Sequence, residues 1–333
     1  MTESRAITIA VDAVGGDFAP DEVLAGVATA VASDAGLHIA LVGPPQIVDA
    51  FASSEGTRIT AVHASQTIEM GEHPANAVRT KKDSSIVVGC RLVKEGAADG
   101  FVSAGSTGAA MAAATLVMGR IPGVNRPAIA TVLPTAGPPS VLLDVGANAD
   151  CKAEHLEQFA HMGIAYAQTV LGCIAPRVGL LNIGEEPTKG SALAQEAHAL
   201  LAASVPGFLG NVEGRDVLTG KADVIVTDGF TGNVALKLLE GTSKVLLGQV
   251  KEAMTSSTVN KAAAAVLKPA LVRLKDRLNP DTYGGAPLLG VRGVCIIAHG
   301  SARRVAIANA IKVAAQAGRG DLTGRITESL GEG

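Results

Sequence analysis

"FVSAGSTGAAM", residues 101–111, decides the fold. A short apolar run ends on Ser103, Gly105 and Gly108 bracket a Ser-Thr pair, and an Ala-rich stretch follows. This is how a buried strand hands over to a helix through a turn tight enough to need glycine. "VIVTDGFTGNVALK", 224–237, repeats the device, and "VLLDVGANADCKAEHL", 141–156, does so with an Asp and an Asn. One such turn is a connection. Three together describe strands of an α/β sheet whose carboxyl ends surround a cleft lined by backbone N–H groups.

Outward from these turns the same rhythm continues. Strand-like runs occupy 7–12, 37–42, 59–63, 100–103, 129–133, 141–144, 177–183, 208–212, 224–227 and 294–299, with helical runs between them. Pro20 suits a helix start, and Asp21 and Glu22 complement the dipole of the helix behind it. Alternation of this kind indicates a mostly parallel sheet covered on both faces. No linker or internal repeat divides the chain, so residues 1–333 read as a single α/β domain. The polar stretch 69–85 reads as a long irregular connection, of the sort that is often functional.

Composition narrows the class. Aromatic residues make up only 2% of the 333, with no Trp, so the core is built from Ala, Val, Ile and Leu. A formal net charge of −3 argues against general nucleic-acid binding. Cys90, Cys151, Cys173 and Cys295 are far apart and show no CxxC spacing, which fits reduced thiols in a cytoplasmic protein. The N-terminus lacks a secretory apolar region, and no apolar run has the length of a membrane span.

One segment breaks the rhythm. Residues 242–280 form a protruding helical arm, which Pro269 should kink or split. Val266, Leu267, Leu271 and Leu274 recur at helical spacing there, among Lys261, Lys268, Arg273, Lys275 and Arg277. The periodicity alone favours a dimer-interface or surface helix; the sharper alternative is one that meets an anionic membrane or an acidic partner.

Candidate ligand groups sit at strand ends. Ser103, Gly105, Ser106, Thr107 and Gly108 form one turn; Asp228, Thr231, Gly232 and Asn233 form another; Asp144 and Asn148 lie in the third. Each turn alone is explained by helix capping, whereas the three together favour a phosphate-like anion. Lys189, in "GEEPTKG", is a phosphate-binding point charge or a solvated loop lysine. His299 orients an anion, donates a proton, or caps the next helix. HExxH, GxSxG, GxGxxG and GxxxxGK[ST] are all absent, which sets aside zinc hydrolysis, the serine-hydrolase elbow, a standard NAD site and a P-loop.

Taken in order, "IAVDAVGGDFAP", "SAGSTGA", "RPAIATVLP", "LLDVGANADCK", "GLLNIGEE", "VTDGFTGNVALK", "YGGAPLLGV" and "HGSARRVAIANAI" closely resemble the bacterial phosphate acyltransferase family. Departures from its pattern fall at Val14, Ser106, Pro187 and Ala302. The resemblance implies a three-layer α/β/α fold with a large mixed sheet, like phosphotransacetylases and isopropylmalate-type dehydrogenases. It implies conversion of acyl-(acyl carrier protein) and inorganic phosphate to acyl phosphate at the start of phospholipid synthesis, without a cofactor. It also implies a homodimer attached peripherally to the cytoplasmic membrane. For that reaction, their place at strand ends and in Gly-containing turns, rather than the resemblance, makes Lys189, His299 and Asp228 the expected catalytic residues and the turn residues the expected phosphate and substrate ligands. A coenzyme A-dependent phosphotransacetylase, an NAD-dependent dehydrogenase and a non-catalytic membrane scaffold are the rival readings.

Overall fold

The computed structural model describes residues 5–278 and 280–331; the side chains of 273–281 are not among those described, so the expected Leu274 contact lies outside them. In chain order the first half contains β1 (Ile7–Asp12), α1 (Asp21–Ser33), β2 (Leu37–Gly43), α2 (Pro45–Glu55), β3 (Ile59–His63), α3 (Pro74–Thr80), α4 (Ser85–Lys94), β4 (Gly100–Ser103), α5 (Thr107–Ala113), β5 (Ala128–Leu133) and β6 (Ser140–Leu143). The second contains α6 (Ala153–Thr169), β7 (Val178–Asn182), α7 (Ala192–Ser204), β8 (Phe208–Glu213), β9 (Val224–Val226), α8 (Gly229–Thr255), α9 (Thr258–Leu278), β10 (Ala286–Leu289), β11 (Val294–Ile297), α10 (Arg304–Arg319) and α11 (Leu322–Gly331).

The eleven strands of the described residues join one sheet, in the order β3-β2-β1-β4-β11-β10-β5-β6-β9-β7-β8. The first five are mutually parallel, as are the last four. Between them β10 is antiparallel to both β11 and β5, and β5 is antiparallel to β6. Three reversals separate β11 from β6, so the two parallel sets run in opposite directions. The carboxyl ends of β4 and β11 therefore face one edge of the sheet, and those of β6 and β9 the other.

Both faces are covered because side chains alternate along each strand. Ile9, Val11, Ile39 and Leu41 enter the core on one face; Ala10, Ala40, Val42 and Phe101 enter the core on the other. Beyond a few buried aromatics, Phe101, Phe159 and Tyr166, the core side chains are small, and the layers close by short helix approaches. A Cβ on Gly26 of α1 would fall 2.6 Å from the Cβ of Ile307 on α10, so this crossing requires glycine.

Two local expectations are corrected. The 69–85 stretch is irregular only in part: α3 occupies its middle, and Lys81 ties the segment together by donating to the Thr67 carbonyl (2.8 Å) and the Glu72 carboxylate. The arm divides at 256–257, and α9 runs through Pro269. Asn260 fixes that turn: its Nδ2 donates to the Ala253 carbonyl (3.0 Å) and to Ser256 Oγ (2.9 Å). The arm also begins earlier than expected, because α8 starts at Gly229, inside one of the glycine turns.

Candidate active site

The 103–108 turn is anchored by a buried carboxylate. Ser103 Oγ donates to Asp12 Oδ2 at 2.7 Å, and Gly105 N donates to Ser103 Oγ at 3.0 Å. Burial raises the Asp12 pKa, against the pull of hydrogen bonds from Ser103, Ser85 and the backbone. A Cβ on Gly15 would lie 2.7 Å from Gly105 N, so the two loops meet backbone to backbone. Ser106 then caps α5, accepting from Ala109 N at 3.4 Å. The N–H groups of Ser106, Thr107 and Gly108 find no acceptor among the described residues.

In the other two turns buried or capping carboxylates take up most of the donors, leaving Gly146 N and Phe230 N without an acceptor among the described residues. Asp144, fully buried, accepts four N–H groups: Ile129 N (3.1 Å) and Ala147 N (3.0 Å) on Oδ1, Asn148 N (2.7 Å) and Asn148 Nδ2 (2.9 Å) on Oδ2. Desolvation raises its pKa despite them. Asn148 Nδ2 also donates to the Pro127 carbonyl at 2.7 Å, and the Asn148 carbonyl accepts Gly229 N at 2.7 Å. Asp228 caps α8: Oδ1 accepts Thr231 N (2.8 Å) and Oδ2 accepts Thr231 Oγ1 (2.7 Å), while Gly232 N reaches the Asp228 carbonyl (2.9 Å). Gly232 is pressed against the backbone of Asp144 and has no room for a side chain. These residues hold the second half of the sheet to the root of α8.

Three cavities divide the expected site residues. A central cleft of about 330 Å³ brings together Thr107, Asn233 and His299 above apolar Ile129, Leu236 and Ile297. A smaller cavity of about 160 Å³ takes Gly105 and Ser106, but Asp12, Asp17 and Glu69 also line it and make it unfavourable for an anion. The third, about 230 Å³, takes Asp228 and Thr231 beside Leu156, Leu180 and Leu193. Lys189 is exposed and lines none of the three; its backbone carbonyl accepts Asn182 Nδ2 at 3.1 Å. Gly108 lies under α3, where an added Cβ would fall 2.7 Å from Pro74 Cγ.

His299 has a defined tautomer. Ser301 N donates to its Nδ1 at 3.2 Å, with Ser301 Oγ at 2.8 Å. A backbone N–H only donates, so Nδ1 is an acceptor and the neutral ring carries its proton on Nε2. Sequence reasoning missed two cleft residues, Lys237 and Glu240, which form an ion pair at 2.8 Å. The signal was available: Lys237 lies four residues beyond Asn233, one turn along the same helix face.

Residues 7–325 match the model of a family described as "Fatty acid synthesis protein". The chain is 50% identical over 326 residues to a phosphate acyltransferase of Heliobacterium modesticaldum, covering 97% of each. It is 51% identical over 309 residues to one of Desulfitobacterium hafniense, covering 92% of each. Among solved structures it superposes on the EutD phosphotransacetylase of Staphylococcus aureus with a TM-score of 0.62, covering 95% of this chain and 96% of that one. Identity in that pair is 18%, so the likeness concerns the fold.

Proposed function

The chain belongs to the fatty acid synthesis protein family whose members include these phosphate acyltransferases, and from that premise we propose that its central cleft moves an acyl group from acyl-(acyl carrier protein) to inorganic phosphate. The observation that carries this reading is the start of α5. Of the unpaired N–H groups there, that of Thr107 belongs to a residue that lines the same cleft as His299. Unpaired helix-start donors and the helix dipole favour a phosphate.

Fixed there, phosphate is itself the nucleophile. One phosphate oxygen attacks the thioester carbonyl carbon, and the C–O bond forms as the C–S bond breaks. The electron pair leaves on sulfur, and the proton of hydrogen phosphate ends on the carrier thiol. A thiol pKa of about 8.5 makes sulfur a competent leaving group without an obligatory acid. The chain contributes positioning, and the Nε2–H of His299 donates to the carbonyl oxygen as it gains charge. Asn233 offers an amide from the α8 wall. Asp144, Asn148 and Asp228 act indirectly, by holding that wall.

The arm supports peripheral membrane contact. No helix among the described residues is long and apolar enough to cross a membrane. Val266 and Leu267 are nevertheless exposed on α9, along with Lys261 and Lys268. Apolar residues among cations suit an anionic bilayer, an acidic carrier protein or a second subunit. We place the arm on the membrane, where an acyl phosphate would be consumed in phospholipid synthesis.

The test is acyl-phosphate formation from long-chain acyl-(acyl carrier protein) and inorganic phosphate, run beside long-chain acyl-CoA and acetyl-CoA. Phosphate-dependent turnover with the carrier substrate is expected. Turnover confined to the CoA thioesters would overturn the carrier assignment, and no turnover with any of them would overturn the reaction.

A further inference from the structure

We propose that Lys237 is the cation that receives inorganic phosphate in the cleft, and that Glu240 holds its ammonium until phosphate arrives. The inference rests on the acyl-phosphate reading of this cleft and names a residue for its anionic substrate.

Phosphate at neutral pH carries one to two negative charges and needs more than amide donors. Within the cleft the polar groups include Thr107, Asn233 and His299, and none of them is a permanent cation. His299 offers Nε2 to the cleft, because Ser301 N donates to its Nδ1. Lys237 is the permanent cation among the cleft-lining residues. It projects from α8 one turn beyond Asn233, on the wall that also carries Glu240.

Its present partner is easily exchanged. Lys237 Nζ meets Glu240 Oε2 at 2.8 Å, with the two side chains 58% and 39% exposed. Such a pair on adjacent helix positions is weak and screened by salt. A phosphate anion in a partly enclosed cleft, also held by α5, is the stronger acceptor. Glu240 would then turn to solvent. Until that happens it lowers the positive potential that a phosphate meets on entry.

The experiment measures the phosphate KM at saturating acyl-(acyl carrier protein), and the Kd for inorganic phosphate by titration calorimetry. The variants are Lys237→Met, Lys237→Arg and Glu240→Gln, each checked for an unchanged melting curve. Lys237→Met is expected to raise both phosphate constants at least tenfold while leaving the carrier KM within twofold. Lys237→Arg should recover most of the loss, and Glu240→Gln should lower the phosphate KM two- to threefold. Unchanged phosphate constants in Lys237→Met, or a loss confined to the carrier KM, would overturn the assignment; an unchanged KM in Glu240→Gln would overturn the exchange. Wild-type protein that binds phosphate through Lys237 yet forms no acyl phosphate would sink the reaction and leave the lysine. Normal turnover in Lys237→Met with unchanged phosphate constants would do the reverse.

Discussion

Thr231 and Asn233 are two residues apart on α8 and face different cavities. Thr231 closes the Asp228 cap over the third cavity, while Asn233 looks into the central cleft with its side chain against Gly146, where an added Cβ would sit 3.6 Å from Asn233 Cγ. The first turn of α8 is thus a partition, and substitutions on its two sides should fail differently.

Asn233→Ala should lower turnover with little change in stability. Thr231→Val removes the hydroxyl bond to Asp228 but keeps the backbone cap, and should destabilise by about 1 kcal/mol, the scale of one lost hydrogen bond, with kcat nearly preserved. Urea melts beside initial rates distinguish them; equal losses of kcat would mean that both cavities serve the reaction.

His299 is expected to act through Nε2. Removing one preorganised donor to a developing oxyanion costs roughly 10²–10³ in kcat, and His299→Ala should fall in that range with a nearly constant carrier KM. Ser301→Ala removes only the hydroxyl contact; the backbone N–H of residue 301 still donates to Nδ1, so turnover should stay within a few-fold of wild type. Near-wild-type turnover in His299→Ala would remove it from the chemistry.

Asp144 should prove structural. Replacing it with Asn turns one acceptor into a donor that faces buried N–H groups. The expected cost is about 3 kcal/mol of stability, read from the urea midpoint, whereas phosphate KM in the folded fraction should stay close to wild type. A stable Asp144→Asn protein with a raised phosphate KM would return the carboxylate to the binding site.

Glu22 carries a pH signature. Side-chain and backbone hydrogen bonds from Arg304 hold its pKa down at about 2, against the usual 4.5. A depressed carboxylate pKa contributes stability that is complete above the unfolded value and lost as pH falls through the folded one. The melting difference between wild type and Glu22→Gln should therefore be constant above pH 4.5 and close between 4.5 and 2. A difference that persists at pH 2 would show that Glu22 acts by packing between α1 and α10 rather than by charge.

Val266→Glu should weaken flotation with anionic liposomes while leaving turnover with soluble substrate intact. Unchanged flotation, joined to a shift in sedimentation, would assign the exposed face of α9 to a second subunit.

Much of this architecture was legible in local pattern. The buried runs at 7–12, 37–42 and 100–103 follow from continuous apolar residues between turn signals, and Ser106 and Asp228 were readable as caps. Strand direction was not. β10 contains Pro287 and follows Gly284 and Gly285, at φ +82° and +83°, so it reads as a turn. Its insertion in the middle of the sheet supplies two of the three reversals that send β4 and β6 to opposite edges. For the same reason the three glycine turns could not be sorted into a cradle and a frame. The Asp144 donors include Ile129, fifteen residues away on β5, and nothing near Asp144 in sequence announces it. Pro269 misled by its strength as a breaker, while the actual turn at 256–257 is marked only by serines and Asn260.

The length of α8 has a mechanical consequence. Its 27 residues span about 40 Å, and its first turn is fixed by Asn148 and Asp144. Lys237 lies about 12 Å from that anchor and Thr255 about 39 Å, at 1.5 Å per residue. A tilt about the anchor that swings the far end by about 3 Å shifts Lys237 by about 1 Å. The arm is thus a reducing lever: its tip can follow an uneven or moving surface while the cleft wall stays nearly still.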